Sequence, residues 1–231
     1  MAKLFVEKSI SITASAKTVW QVLTDPEITH EWIKEFSESF TRLESDWQLG
    51  SLVLWKDKDN KNHVEGKVTV LELYKRLRFS VMPADEVSNW EIKEDDGITY
   101  ILTEENGQTL LAITQGDFGL MPEHEKYYHM TNTIWERVLP KVKVLAEWME
   151  KLIKKGFKDI RVCPIPAALD FGEHTHEEHT VHVILDCELT IADSGTSKTY
   201  GSGDYVEFPA GTTHAVKSGP TAGSMIVGIK A

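Results

Sequence analysis

The chain has 231 residues, 41% apolar and 26% charged, the proportions of an ordinary globular protein, which exclude a disordered, collagen-like or coiled-coil chain. With 25 basic and 36 acidic residues the net charge is −11, so electrostatics oppose any general affinity for nucleic acid or an anionic membrane. No apolar run reaches the ~18 residues of a spanning helix, the start MAKLFVEKSISIT lacks a signal-peptide core, and Cys163 and Cys187 are too few for a disulfide framework; the expectation is a soluble, cytoplasmic protein.

Residues 4–13 read as an opening strand. Ser15 is placed to cap a short helix carrying Val19, Trp20 and Leu23. Asp25-Pro26 starts a second helix, an N-cap followed by proline at the first helical position. Six β-like segments follow, at 51–56, 63–73, 76–82, 89–94, 98–105 and 108–116. Three of their breaks are turn-like: Asp57–Asn62, Asp95-Asp96-Gly97, and Asn106-Gly107, a pair suited to a type I′ hairpin. A long amphipathic helix is expected over 123–155, because Ile134, Val138, Val142, Leu145, Met149 and Leu152 step by three and four. Pro140 inside it predicts a kink rather than a break. Lys151, Lys154 and Lys155 suit the negative end of the helix dipole, and Gly156 can close the helix in the left-handed conformation.

That order of elements, together with TASAKTVWQVLTDPEITHEWI, VEGKVTVLELYKRLRFSVM and IWERVLPKVKVLAEWMEKL, resembles the START-like superfamily over residues 4–155, and most closely the branch named after the Hsp90 ATPase activator. The resemblance implies an α+β helix-grip fold, a curved sheet around the C-terminal helix, with a cavity between them that often takes an apolar ligand. Trp32, Trp55, Trp90, Phe118 and Trp135 are the candidate lining residues, with Trp47, Tyr127 and Tyr128 beside them; most large aromatics in a domain of this size serve as core. His30, His124 and His129 have no visible catalytic partner and read as solvated or structural.

Beyond Gly156 the composition changes. All seven Trp lie at or before Trp148, whereas five of the nine His fall between His174 and His214. Two domains are therefore expected, 1–156 and 157–231. On a strand, His174 and His176 share a face because side chains repeat every two residues, so two imidazoles can grip one ion. His214 follows Pro209-Ala210-Gly211-Thr212-Thr213, a Pro/Gly turn that aims it back inside. Three neutral imidazoles suit Zn, Fe, Mn, Ni or Cu rather than Mg or Ca, and an open coordination position would permit catalysis.

These segments resemble the paired motifs of the cupin superfamily: the HxH of His174 and His176 in the first, and Gly203, Pro209, Gly211 and His214 at the spacing of the second. The resemblance implies an all-β cupin double-stranded barrel holding one divalent transition metal ion (Zn, Fe, Mn or Ni). The chain departs from the pattern twice. The family's glutamate ligand falls at Thr180, and a motif glycine falls at Cys187. His182 should face the same way as Thr180 and is the fourth candidate, as a ligand or an acid–base group, whereas His179 should face outward. Small cupins of this kind often pair their sheets across a dimer, so a homodimer built through the arm FKDIRVCPIPAALDF is expected, an open apolar edge strand inviting such pairing.

Two functions follow. One is a small-molecule and metal-binding protein, with an apolar ligand cavity in the first domain and a His-based metal site in the second. The other is a metal-dependent enzyme of dioxygenase or isomerase type, acting on a small organic substrate.

Overall fold

The computed structural model describes residues 3–85, 97–193 and 195–230, and the chain divides into two compact units, Met1–Glu147 and Trp148–Ala231. The strand expected at 89–94 and its Trp90 lie outside the described residues.

The first unit runs β1 (Val6–Ile12), α1 (Ala16–Thr24), α2 (Pro26–Ile33), β2 (Phe40–Glu44), β3 (Leu52–Asp57), β4 (Asn62–Glu72), β5 (Arg76–Phe79), β6 (Met82–Pro83), β7 (Gly97–Glu105), β8 (Gln108–Gly116), a 3-10 turn at Phe118–Leu120 and α3 (His124–Lys154). The two short helices start where their caps lie. The Ser15 hydroxyl accepts from the Thr18 amide, and the Asp25 carboxylate accepts from that of Glu27 with Pro26 at the first helical position. The strands form one antiparallel sheet in the order β1-β8-β7-β5-β4-β3-β2, with β6 also paired to β4. Asn106 and Gly107 both take positive φ, 51° and 76°, which gives the type I′ hairpin that sets Glu105 opposite Gln108.

Two departures from the expected strands have a common cause, ladder partners that are distant in sequence. The segment FTRLE becomes β2 because β3 pairs with it, Leu43 opposite Trp55. The single strand expected at 76–82 is two, since β4 is long enough to pair β5 near Leu71 and β6 near Glu65. Gly66 is needed in between: a Cβ there would lie 1.7 Å from the Ser80 carbonyl oxygen. The sheet grips α3, which runs on through Pro140. Of its predicted apolar positions, Ile134, Val138, Val142 and Leu145 are buried in this unit, and Met149 and Leu152, which fall in the second, are buried as well, each contributing ~2 kcal/mol by removal from water. This unit is an α+β helix-grip fold.

The second unit takes the end of α3 and then β9 (Lys158–Ile165), β10 (Asp170–Thr175), β11 (His179–Ile184), β12 (Leu189–Asp193), β13 (Thr196–Tyr200), β14 (Tyr205–Phe208), β15 (Thr213–Ser218) and β16 (Gly223–Lys230). Gly156, at φ +87°, closes the helix as expected, and the Phe157 amide donates to the Leu152 carbonyl at 3.0 Å. Two four-stranded sheets result, β10-β15-β12-β13 and β14-β11-β16-β9. The run VHVILDCELTI crosses between them: β11 belongs to one sheet and β12 to the other. Buried Cys187 sits in the crossing and packs with Ile165, Ile184 and Leu189 in the core between the sheets. This is the all-β cupin barrel. No helix among the described residues is long and apolar enough to cross a membrane.

Candidate metal centre

The ladder between β10 and β15 sets His174 directly opposite His214. His176 stands just past the end of β10, and the turn after Pro209 holds it there. Its amide donates to the Thr212 carbonyl at 3.0 Å, and the Gly211 amide donates to its carbonyl at 2.8 Å. Gly211 reaches that position with φ +85°, a conformation glycine adopts without strain. One ring nitrogen from each of His174, His176 and His214 comes within 4.8 Å of the other two.

The hydrogen bonds around the trio orient the imidazoles. His174 Nδ1 donates to the Gly172 carbonyl at 3.1 Å; a carbonyl only accepts, so Nδ1 carries a proton and Nε2 is the nitrogen left to serve as a ligand. His176 Nδ1 meets the Thr180 hydroxyl at 2.9 Å. His176 Nε2 and both ring nitrogens of His214 are buried with no hydrogen-bond partner. Buried polar atoms left unpaired cost ~1–3 kcal/mol each, and lone pairs converging on one point fit a cation. The donor set therefore suits a borderline transition metal.

Burial favours the neutral form, which a metal needs, at His176, His182 and His214. Burial, followed by the charge of His174 and then His176, pushes the His214 imidazole down to about 4. Burial likewise lowers His176 and takes His182 down to about 3. Phe208 walls the site: its ring stacks on His214 at 3.9 Å between centroids and 17°, and on His176 at 5.0 Å and 3°.

His182 lies on β11, buried like Thr180, but is not part of the three-nitrogen group; its ring lies 5.4 Å from that of His176 and 5.1 Å from that of Phe208 between centroids. His179 meets the Glu207 carboxylate at 3.3 Å and the Phe157 ring. Among the described residues no carboxylate joins the three imidazoles at ligand distance. The spacing of histidines in the sequence pointed to the trio; nothing in it pointed to Phe208 or to the bond between Thr180 and His176.

In the first unit, Trp32, Trp55, Phe118 and Trp135 are all buried. The Trp32 indole donates to the Val22 carbonyl at 3.0 Å and that of Trp135 to Gln115 Oε1 at 2.7 Å. Phe36 lies edge-on to both Trp55 and Trp135, and Tyr100 lies edge-on to Trp135. Trp55 Nε1 and Tyr100 Oη are buried without a hydrogen-bond partner. Trp90 lies outside the described residues. A separate open cleft of about 490 Å³ brings Lys3 together with His124, Tyr128 and His129 of the first turns of α3.

The description "Activator of Hsp90 ATPase homolog 1-like protein" matches residues 13–147, and "Cupin domain" matches residues 161–227. Among solved structures, a protein from Mesorhizobium loti is 18% identical with a TM-score of 0.48, covering 62% of this chain and 97% of its own. The Aha1 dimer from Colwellia psychrerythraea is 18% identical with a TM-score of 0.46, over 62% of this chain and 96% of that one. A cupin superfamily protein from Desulfitobacterium hafniense is 19% identical with a TM-score of 0.28, over 31% of this chain and 66% of that one. No curated protein matches the chain significantly.

Proposed function

This chain belongs to the activator of Hsp90 ATPase homolog 1-like family and carries a cupin domain behind the family region, and on that premise we propose a two-domain small-molecule and metal-binding protein, divided at Gly156. The observation that carries the reading is the convergence of His174, His176 and His214 within 4.8 Å, with His176 Nε2 and both ring nitrogens of His214 buried and unpaired. These three imidazoles would hold one divalent transition metal ion (Zn, Fe, Mn or Ni), which when bound supplies a Lewis acid with open positions. His182 and Phe208 bound the site, and Phe208 keeps water from one side of it.

The first domain takes an apolar small molecule among Trp32, Trp55, Trp90, Phe118 and Trp135. Support comes from Trp55 Nε1 and Tyr100 Oη, buried donors without partners in an aromatic cluster, which an acceptor on a bound molecule would satisfy. A homodimer through β9 is favoured by its place at the end of its sheet, an edge open to another strand. Two free cysteines suit a reducing, cytoplasmic setting. A second reading, a metal-dependent enzyme of dioxygenase or isomerase type, is favoured by a ligand set of only three, which leaves room for a substrate.

Elemental analysis of the full chain, purified without a histidine tag, tests the proposal. The expected result is one transition metal per chain, directly or after adding ions back. No bound metal under either condition would contradict it.

A further inference from the structure

We propose that Thr180 is a positioning residue for His176, and that the carboxylate-free site it helps build draws a carboxylate-bearing small molecule onto the metal. This rests on the metal reading above and names the class of ligand that the site would take.

Three contacts fix His176. Backbone hydrogen bonds tie it to Gly211 and Thr212, Phe208 covers one ring face, and Thr180 meets Nδ1 at 2.9 Å. If the buried, unpartnered Nε2 is the nitrogen that takes the metal, the proton must sit on Nδ1, which then donates to Thr180 Oγ1. A hydroxyl in that place orients the ring and fixes its tautomer, as outer hydrogen bonds do for metal-binding histidines. Thr180 is anchored for the task. It sits within the sheet with Phe208 opposite on β14 and Ile229 opposite on β16.

The charge count then favours an anion. Three neutral imidazoles leave a divalent ion with its full double charge, and no carboxylate among the described residues stands at ligand distance. Asp193 is felt at His214 through its charge but is not in the ligand set. Glu207, one register step from Thr180, is turned instead to Lys155 at 2.9 Å and His179 at 3.3 Å. A doubly charged centre walled by Phe208 and buried His182 is poorly compensated, so an incoming carboxylate is stabilised where its neutral analogue is not.

The test uses the full chain loaded with Co(II), followed by its visible absorption, with acetate and acetamide as isosteric probes differing in charge. The wild type is expected to bind acetate at least about tenfold more tightly than acetamide. Thr180→Glu supplies the missing carboxylate and should bring that preference below about threefold while keeping the metal. Thr180→Val should weaken Co(II) binding about tenfold, within the roughly 10- to 100-fold that outer hydrogen bonds contribute, and Thr180→Ser should restore it. Thermal melts establish that each variant is folded; if Thr180→Val is not, the comparison of Thr180→Glu with wild type decides alone. Bound Co(II) with equal response to acetate and acetamide, or Thr180→Glu keeping the wild-type preference, would overturn the anion assignment. Wild-type Co(II) affinity in folded Thr180→Val would overturn the positioning role. A wild type that binds no Co(II) would overturn the metal reading and this inference with it.

Discussion

Phe208 and His214 stack nearly parallel, 3.9 Å between ring centroids and 17° apart, so the hydrophobic wall and the candidate ligand are one packing unit. Phe208 also faces His176 and is almost fully buried. Phe208→Ala is therefore expected to cost about 3 kcal/mol of stability through the cavity it leaves and to weaken metal binding as well. Chemical denaturation and a metal titration on the same variant check this; a loss of stability with unchanged metal affinity would separate the wall from the site.

Acid should destabilise the metal-free cupin unit. Burial holds His214 at about 4 and His182 at about 3 in the folded chain, while an unfolded histidine titrates near ~6.5. Below that value the unfolded chain binds protons that the folded one refuses, so the unfolding free energy falls as pH drops from about 6.5 towards 4, and for His182 onwards to about 3. Above about 6.5 both states are neutral at these positions and the dependence vanishes. Melts in the presence of a chelator would show it, and His182→Leu should flatten the acid limb by about one proton. A pH-independent melting temperature across that range would contradict the burial argument.

The site was legible in sequence where geometry is local. Two histidines two apart on a strand, and a third behind a Pro/Gly turn, were enough to group His174, His176 and His214, and the hairpin at Asn106-Gly107 followed from the dihedrals that pair adopts. What escaped depends on partners distant in the chain. Nothing in FTRLE says that Trp55 will pair beside Leu43. Nothing in VHVILDCELTI says that its two halves join different sheets. Thr180 was visible only as a missing carboxylate, since its bond to His176 depends on where the end of β10 comes to rest. Fold class needs only patterning, whereas the arrangement around a site needs the ladder registers.

Gly66→Ala should unfold or severely weaken the first unit. The added Cβ would meet backbone, with the Ser80 oxygen at 1.7 Å and its carbonyl carbon at 2.6 Å, and no flexible side chain can yield there. A loss above about 3 kcal/mol is expected, against a small change for Gly172→Ala, where nothing lies within 4 Å. Denaturant midpoints of the two variants make the comparison; similar midpoints would count against the close approach of the strands.

Residues 1–156 should fold alone. They hold all seven Trp and the complete sheet with its helix. The cut removes Tyr205 from Trp148 and Glu207 from Lys155, and an exposed ion pair of this kind contributes about 1 kcal/mol or less. A native near-UV circular dichroism signal is expected, with faster amide exchange over the last turn of α3. A featureless near-UV spectrum would mean that the helix and sheet need the second domain.

The most direct measurement is a competitive Zn(II) or Co(II) titration of the wild type beside His176→Ala, His214→Ala and His179→Ala. The trio of His174, His176 and His214 predicts one tight site per chain. Loss of His176 or His214 should weaken it beyond the roughly 10- to 100-fold that outer hydrogen bonds cost, because two imidazoles remain. His179, engaged with Glu207 and Phe157, should be replaceable at little cost. Equal affinity in His179→Ala and His176→Ala, or no site in the wild type, would contradict the assignment.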